Sequence, residues 1–418
     1  MMSADDIKRL CRKVKSASRE LALTDTKTKD RVLIAMSKAL IKRASYIVRE
    51  NERDLASAKR KGLSPAYLDR LRLTVSGISG MAKSLSVIAR FKDPVGEVIE
   101  TLRRPNGLLI KKVRVPIGVI LIIYEARPNV TGDCIGLCLK SSNALILRGG
   151  SEALNSNIAI FDILNDVAVK NGLPANSIAM IRDTDRRIVK QLLESDSLID
   201  LVIPRGGESL IREVTKTSRI PVIKHYKGVC HTYVDRSADL KMAENICFNA
   251  KVQRPGVCNA METMLVHRKV AKKFLSRMIK RFSDSGVEIR GDAETRRIAP
   301  YIKRAVENDW YTEYLGLILS VKVVTDIDEA IAHIMKYGSY HSDAIVTGNK
   351  KNAGKFLDEV DSACVYVNCS TRFTDGAQFG KGAEMGISTD KLHARGPMGL
   401  EELTSYKYVI YGTGQVRR

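Results

Sequence analysis

The sequence predicts an α/β protein built on two mostly parallel sheets, and three observations predict it. Apolar residues recur at three- and four-residue steps through residues 1–90, the spacing of amphipathic helices. From about Pro94 the pattern changes to short Val- and Ile-rich runs that alternate with helical stretches. That alternation resumes after Thr232, which calls for a second α/β domain; at roughly 150 residues per domain, a chain this long has room for two or three.

The helices at the start follow Ile7, Leu10 and Val14, then Val32, Leu33, Met36 and Leu40, with breaks predicted at 24–27 and 61–65. The runs 115–123, 144–147, 178–181 and 201–203 are predicted buried strands, each bounded by Gly, Pro or Asn on at least one side. Residues 152–170 and 185–194 supply the intervening helices. Further along, 263–266 and 317–324 are predicted strands, and 269–282 and 328–336 predicted helices. The stretch 366–395 is dense in Gly, Asn, Thr and Asp and is predicted to run as loops across a site.

Composition excludes several classes. With 44% hydrophobic and 28% charged residues the chain is neither disordered nor fibrous, and eight Cys in 418 residues are too few for a disulfide scaffold. The most apolar run, 115–124, is about half the ~20 residues a membrane crossing needs and contains Pro116 and Gly118. Acids stand at Asp5 and Asp6 where a secretory leader carries bases, so a reduced, cytoplasmic protein is expected. Lys plus Arg number 69 against 47 Asp plus Glu, a net charge of +22, which favours anionic ligands. The bases are scattered, however, and aromatics are only 6% with Trp310 alone, so little surface exists for stacking nucleic-acid bases. Neither a nucleic-acid nor a membrane partner is expected.

Familiar chemical motifs are missing. Gly354-Lys355 and Gly380-Lys381 are followed by Phe and Gly, so there is no P-loop, and no G-x-G-x-x-G or G-x-S-x-G follows a strand. Cys134 with Cys138, and Cys364 with Cys369, lack zinc-site spacing, and the six His are dispersed, so no metal is expected. One thiol stands out. Cys258 follows a Pro255-Gly256 turn and precedes a strand; Gly256 lets the backbone approach a ligand, and Lys251 and Arg254 are expected to lower the thiol's pKa. A Cys so placed can act as a nucleophile.

The segment from Asn249 through Cys258 to Thr263 resembles the nucleophile loop of the aldehyde dehydrogenase superfamily. Val115-Pro-Ile-Gly-Val-Ile, Tyr124-Glu-Ala-Arg-Pro-Asn-Val-Thr131, Lys140-Ser-Ser-Asn-Ala-Leu-Ile-Leu-Arg-Gly-Gly150 and Ile203-Pro-Arg-Gly-Gly-Glu-Ser-Leu210 resemble it too. So do 324–330 with His341-Ser-Asp-Ala-Ile345, then Arg372-Phe-Thr-Asp-Gly376 and Ala394-Arg-Gly-Pro-Met-Gly399, in order along nearly the whole chain.

The resemblance implies two Rossmann-like α/β domains with an oligomerisation hairpin and strand. The cofactor-binding domain would span 1–228 with part of 365–400, and the catalytic domain 229–364. The pieces at 98–114 and 400–418 would join subunits into a dimer or higher homo-oligomer. Cys258 would be the nucleophile, and the Asn129 amide with a backbone N–H the oxyanion hole. Arg148, Gly149, Gly150, Gly206, Gly207 and Glu313 would contact NADPH or NADP. Lys224, His225, Arg254 and Arg395 are candidates for a substrate phosphate or carboxylate, and Asp375 and Gln378 for lining the site. His341 and Asp343 belong to the same signature and are equally well explained by a hydrogen-bonded turn.

One departure discriminates among reactions. Oxidative members carry a glutamate base that activates water against a thioester, whereas 222–231 holds no carboxylate. The branch implied is therefore the NADPH-dependent reduction of L-glutamyl 5-phosphate to L-glutamate 5-semialdehyde, the second step of proline biosynthesis, with a glutamate 5-kinase as the expected supplier. Oxidation of a small carboxylated aldehyde is the alternative.

Overall fold

Ser3, Asp25, Ser64 and Thr74 each accept a backbone N–H from the first turn of the helix that follows. These caps start Ala4–Leu21, Thr26–Lys42, Pro65–Leu71 and Val75–Arg90 in the computed structural model, which describes residues 2–417. The periodicity missed a further break at Arg43, whose φ of −105° and ψ of 13° leave the helical region and start Ala44–Arg60 as a new helix.

The chain divides into two compact units. The first runs to Lys224 and regains Gly380–Gly386 and the chain from Met398. Its four-stranded sheet has the order Ile178–Met180, Ala144–Gly149, Val119–Tyr124, Leu201–Arg205, all parallel. Val119–Tyr124 is buried at every position, as a central parallel strand covered on both faces must be. The predicted strand 115–123 is in fact divided at Gly118. That residue has φ +130°, and a Cβ on it would lie 2.2 Å from Asp200 Oδ2, which accepts the Val119 N–H at 2.7 Å. Before the break, Leu109–Pro116 leaves for a separate antiparallel sheet, flanked by Val98–Arg103 and by Thr404–Tyr411 of the same chain.

The second unit comprises His225–Phe379 and Ile387–Pro397. Its seven parallel strands have the order Lys303–Arg304, Glu288–Gly291, Ile318–Val324, Met261–His267, Cys230–Val234, Ser342–Val346, Cys364–Val367. Helix Arg268–Asp284 buries Phe274, Leu275, Met278, Ile279 and Phe282 against Met264, Val266 and Val321. Burial at about 25 cal/mol per Å² of apolar area makes that cluster, with the one around Tyr233, Leu265 and Phe356, a source of this unit's stability. Among the described residues, no helix is long and apolar enough to cross a membrane.

Candidate active site

Helix Leu240–Val252 ends at the turn that carries Cys258, and strand Met261–His267 begins three residues after it. Cys258 is half-buried. Its carbonyl accepts the Cys230 S–H at 3.2 Å, and a Cβ on Gly228 would stand 1.8 Å from the same carbonyl oxygen. Only glycine lets the chain at 228 pass this close. The Gly228 N–H in turn donates to Glu313 Oε1 at 2.9 Å, so one oxygen of that carboxylate braces the segment that passes against Cys258. Cys369 is half-buried too, and the other six thiols are buried. Burial pushes Cys11 up to about 11 and holds Cys134, Cys138, Cys230 and Cys247 protonated as inert core groups.

The basic environment of Cys258 is not the one the sequence suggested. Lys251 is fully buried and ion-paired with equally buried Glu262, whose other oxygen accepts the Leu315 N–H at 3.1 Å. Burial pulls both partners toward their neutral forms, Glu262 up to about 7. Lys251 is thus a neutralised core group rather than an activator of the thiol. Arg254 is exposed beside the turn. Sequence reasoning missed Arg372 as a site residue: its Nε donates to Gln253 at 2.9 Å, and it also pairs with Asn259 Oδ1. Burial and the neighbouring positive charge of Arg254 lower its pKa, while the charges of Asp375 and Cys258 oppose that shift. The quoted Arg372-Phe-Thr-Asp-Gly376 motif carried this signal.

Of the remaining candidates, Arg395 donates to Asp361 Oδ1 at 2.8 Å and to its carbonyl at 2.9 Å, and its buried Nε has no hydrogen-bond partner among the described residues. Asp375 accepts the N–H groups of Ala377 and Gln378 at 2.9 and 3.2 Å in its own turn. Asp343 accepts from His231 Nδ1 at 2.9 Å in the core, the hydrogen-bonded role allowed for it. His225 and His341 have their rings 5.6 Å apart, edge to face, and both offer a ring nitrogen near Cys258 Sγ. Lys224 is half-buried at the last position of the first unit.

In the first unit the predicted cofactor residues gather at the carboxyl ends of the two parallel strands that flank Val119–Tyr124, where open α/β sheets bind ligands. Arg148, on Ala144–Gly149, donates to the carbonyls of Gly149 and Thr184 at 3.1 and 3.0 Å, and its buried Nε has no protein partner. An open cleft of about 760 Å³ lies beside Thr184, lined by Met2, Asp6, Leu154, Met180, Arg182 and Asp183. Gly206 and Gly207 follow Leu201–Arg205 and open helix Glu208–Thr217. A Cβ on Gly206 would meet Glu125 Oε2 at 2.4 Å, and Gly207 N–H donates to that same oxygen at 2.9 Å. Gly149 and Gly150 are equally tight, with Asn157 Nδ2 and Glu152 Oε1 at 2.3 and 2.2 Å from a built Cβ. An unpartnered guanidinium nitrogen, a helix N-terminus and glycines that admit close backbone approach are a donor set suited to the phosphates of a dinucleotide. Asn129 opens helix Asn129–Lys140 and is exposed; its Nδ2 donates to Asp133 Oδ2 at 3.3 Å. Asp133 is pushed up to about 6, mainly by burial.

The model of the aldehyde dehydrogenase family matches residues 1–310. A gamma-glutamyl phosphate reductase from Caldanaerobacter subterraneus subsp. tengcongensis is 57% identical over 407 residues, covering 97% of this chain and 98% of that protein. The crystal structure of gamma-glutamyl phosphate reductase from Thermotoga maritima superposes with a TM-score of 0.95 at 47% identity, covering 99% of this chain and 100% of that one. At 15% identity, glyceraldehyde-3-phosphate dehydrogenase GapN from Methanocaldococcus jannaschii, complexed with NADP, shares the fold with a TM-score of 0.72 over 99% of this chain and 95% of its own. This chain belongs to the aldehyde dehydrogenase family, and within it to the gamma-glutamyl phosphate reductases.

Proposed function

We propose that this chain reduces L-glutamyl 5-phosphate to L-glutamate 5-semialdehyde and phosphate, with NADPH as reductant, through a thioester on Cys258. The observation that carries the reading is a half-buried thiol on a braced turn, in a chain whose 222–231 stretch offers no carboxylate to activate water.

The Cys258 thiolate attacks the γ-carbonyl carbon, and the Asn129 amide with a backbone N–H receives the developing oxyanion. The C–O bond to phosphate then breaks, phosphate departs with its electron pair, and the acyl group remains on sulfur. Arg254 and Arg372 favour the anionic substrate electrostatically, with Lys224 and His225 as further candidates for its phosphate or carboxylate. Arg148, Gly149, Gly150, Gly206 and Gly207 would hold the cofactor, whose chemistry when bound is delivery of a hydride to the thioester carbon. Collapse of the hemithioacetal releases the aldehyde and restores the thiolate. Because the thioester is consumed by reduction, an activated water would only divert it to glutamate.

The exposed three-stranded sheet supports a homo-oligomer. Val98, Ile99, Tyr406, Tyr408 and Ile410 present apolar surface there, beside strand edges able to pair with another copy. A glutamate 5-kinase as supplier of the labile acyl phosphate, and a cytoplasmic setting, complete the proposal.

The test is phosphate-dependent reduction of NADP by glutamate semialdehyde, followed at the nicotinamide absorbance. Wild-type protein should turn over only with phosphate present, and Cys258→Ala should lose turnover while still binding NADPH. Wild-type rates in Cys258→Ala, or oxidation independent of phosphate, would sink the proposal.

A further inference from the structure

Three donor atoms of two kinds converge in the second unit from segments far apart in sequence. Cys258 Sγ and one ring nitrogen each of His225 and His341 all lie within 4.8 Å of one another. We propose that these three side chains form a reversible site for a zinc-class divalent cation, and that a bound cation holds the Cys258 sulfur out of reaction.

The geometry requires little movement. Tetrahedral zinc with Zn–S of about 2.3 Å and Zn–N of about 2.0–2.1 Å sets its ligand atoms roughly 3.3–3.6 Å apart. Closing from 4.8 Å is an adjustment on the order of 1 Å, within the rotamer freedom of the half-buried Cys258 and His225. His341, which is fully buried, is the fixed member. Its Nδ1 lies 2.9 Å from Ser342 Oγ, Ser342 Oγ lies 2.6 Å from Thr374 Oγ1, and the Tyr366 hydroxyl lies 2.7 Å from Thr374 Oγ1. A hydrogen-bonded chain of this kind fixes the orientation of the imidazole, as outer-shell groups do at metal sites.

Donor type sets the selectivity. One thiolate and two imidazoles favour zinc or its softer relatives over magnesium and calcium, which prefer oxygen. Three protein ligands leave a fourth position open to water or to a substrate oxygen. The guanidinium groups of Arg254 and Arg372 oppose a cation here, so binding is weaker than at a closed structural zinc site, which suits a site that empties again. The predicted loss of turnover rests on Cys258 being the nucleophile, whereas the binding itself does not.

The test uses the full-length protein and free Zn²⁺, with Co²⁺ as spectroscopic probe and Mg²⁺ as control. The expected result is one Zn²⁺ per chain, blocked iodoacetamide labelling of Cys258 by mass spectrometry, and a thiolate-to-Co²⁺ charge-transfer band. Cys258→Ser should abolish that band, and His225→Asn, which changes a half-buried side chain, should weaken Zn²⁺ binding at least tenfold. Mg²⁺ should leave labelling unchanged. Zn²⁺ affinity equal in wild type, Cys258→Ser and His225→Asn, or labelling of Cys258 unaffected by Zn²⁺, would overturn the site. Labelling needs no turnover, so this result separates the metal site from the proposed reaction: protection together with a fully active Cys258→Ala would leave the site standing and remove the mechanism.

Discussion

The carboxyl edge of the first sheet and the Cys258 turn of the second unit solve opposite problems. At the first, glycines at 149, 150 and 206 let Asn157, Glu152 and Glu125 pack directly against the backbone. At the second, Gly228 brings one backbone against another to fix a sulfur among side chains drawn from 225, 258, 341 and 372. A backbone cradle is encoded locally, whereas a side-chain constellation is assembled only by the fold.

Four measurements sharpen or break this contrast. The largest effect is expected beneath the Cys258 turn, where Lys251→Met strands the buried Glu262 carboxyl and should cost about 3–5 kcal/mol in denaturant unfolding. The double variant with Glu262→Met should recover much of that loss; no recovery would mean that the pair matters for something other than its charges. Asn129→Ala should lower kcat on the order of 100- to 1,000-fold with NADPH binding intact, because the proposed oxyanion donor is lost. An unchanged kcat would remove Asn129 from the reaction.

Gly228→Ala should lower kcat roughly 100-fold, since its Cβ must push the Cys258 backbone aside and ångström-scale misplacement has about that cost. A wild-type rate in that variant would show that the turn does not position the sulfur.

The smallest effect concerns Asp133. Its folded-state pKa of about 6 lies above the ordinary carboxyl value of roughly 3.9, so the folded state binds the proton more tightly than the unfolded chain. Stability from this group is therefore greatest in acid and falls as pH rises from about 4 to about 6, by on the order of 1–2 kcal/mol. Thermal unfolding of Asp133→Asn should lack that fall; identical profiles for the two proteins would refute it.

Much of the fold was legible because periodicity is local. The expected helix at 185–194 appears as Arg186–Leu193 with Asp185 as its cap, and the expected strand 317–324 as Ile318–Val324. The exception is instructive: 115–123 is one apolar run, but Gly118 abuts Asp200, a residue remote in sequence, and the chain changes sheets there. The site divides in the same way. Cys258 was legible from its Pro-Gly turn, and the glycines at 149, 150, 206 and 207 from motifs at strand ends. Lys251 was misjudged because its partner Glu262 reaches it only across the fold. Arg372 went unnoticed because it lies more than 100 residues from the turn it supports.

The sequence by itself determined the alternation of helix and strand, the glycine turns at strand ends, the nucleophile candidate and the lack of a carboxylate in 222–231, since each depends on residues adjacent in the chain. Only the tertiary structure decided which charges are neutralised, which histidines face the sulfur and which arginine joins Gln253 and Asn259 beside the turn. Those outcomes depend on distances between remote segments and on removal of water from around them, and neither quantity exists until the sheets have formed.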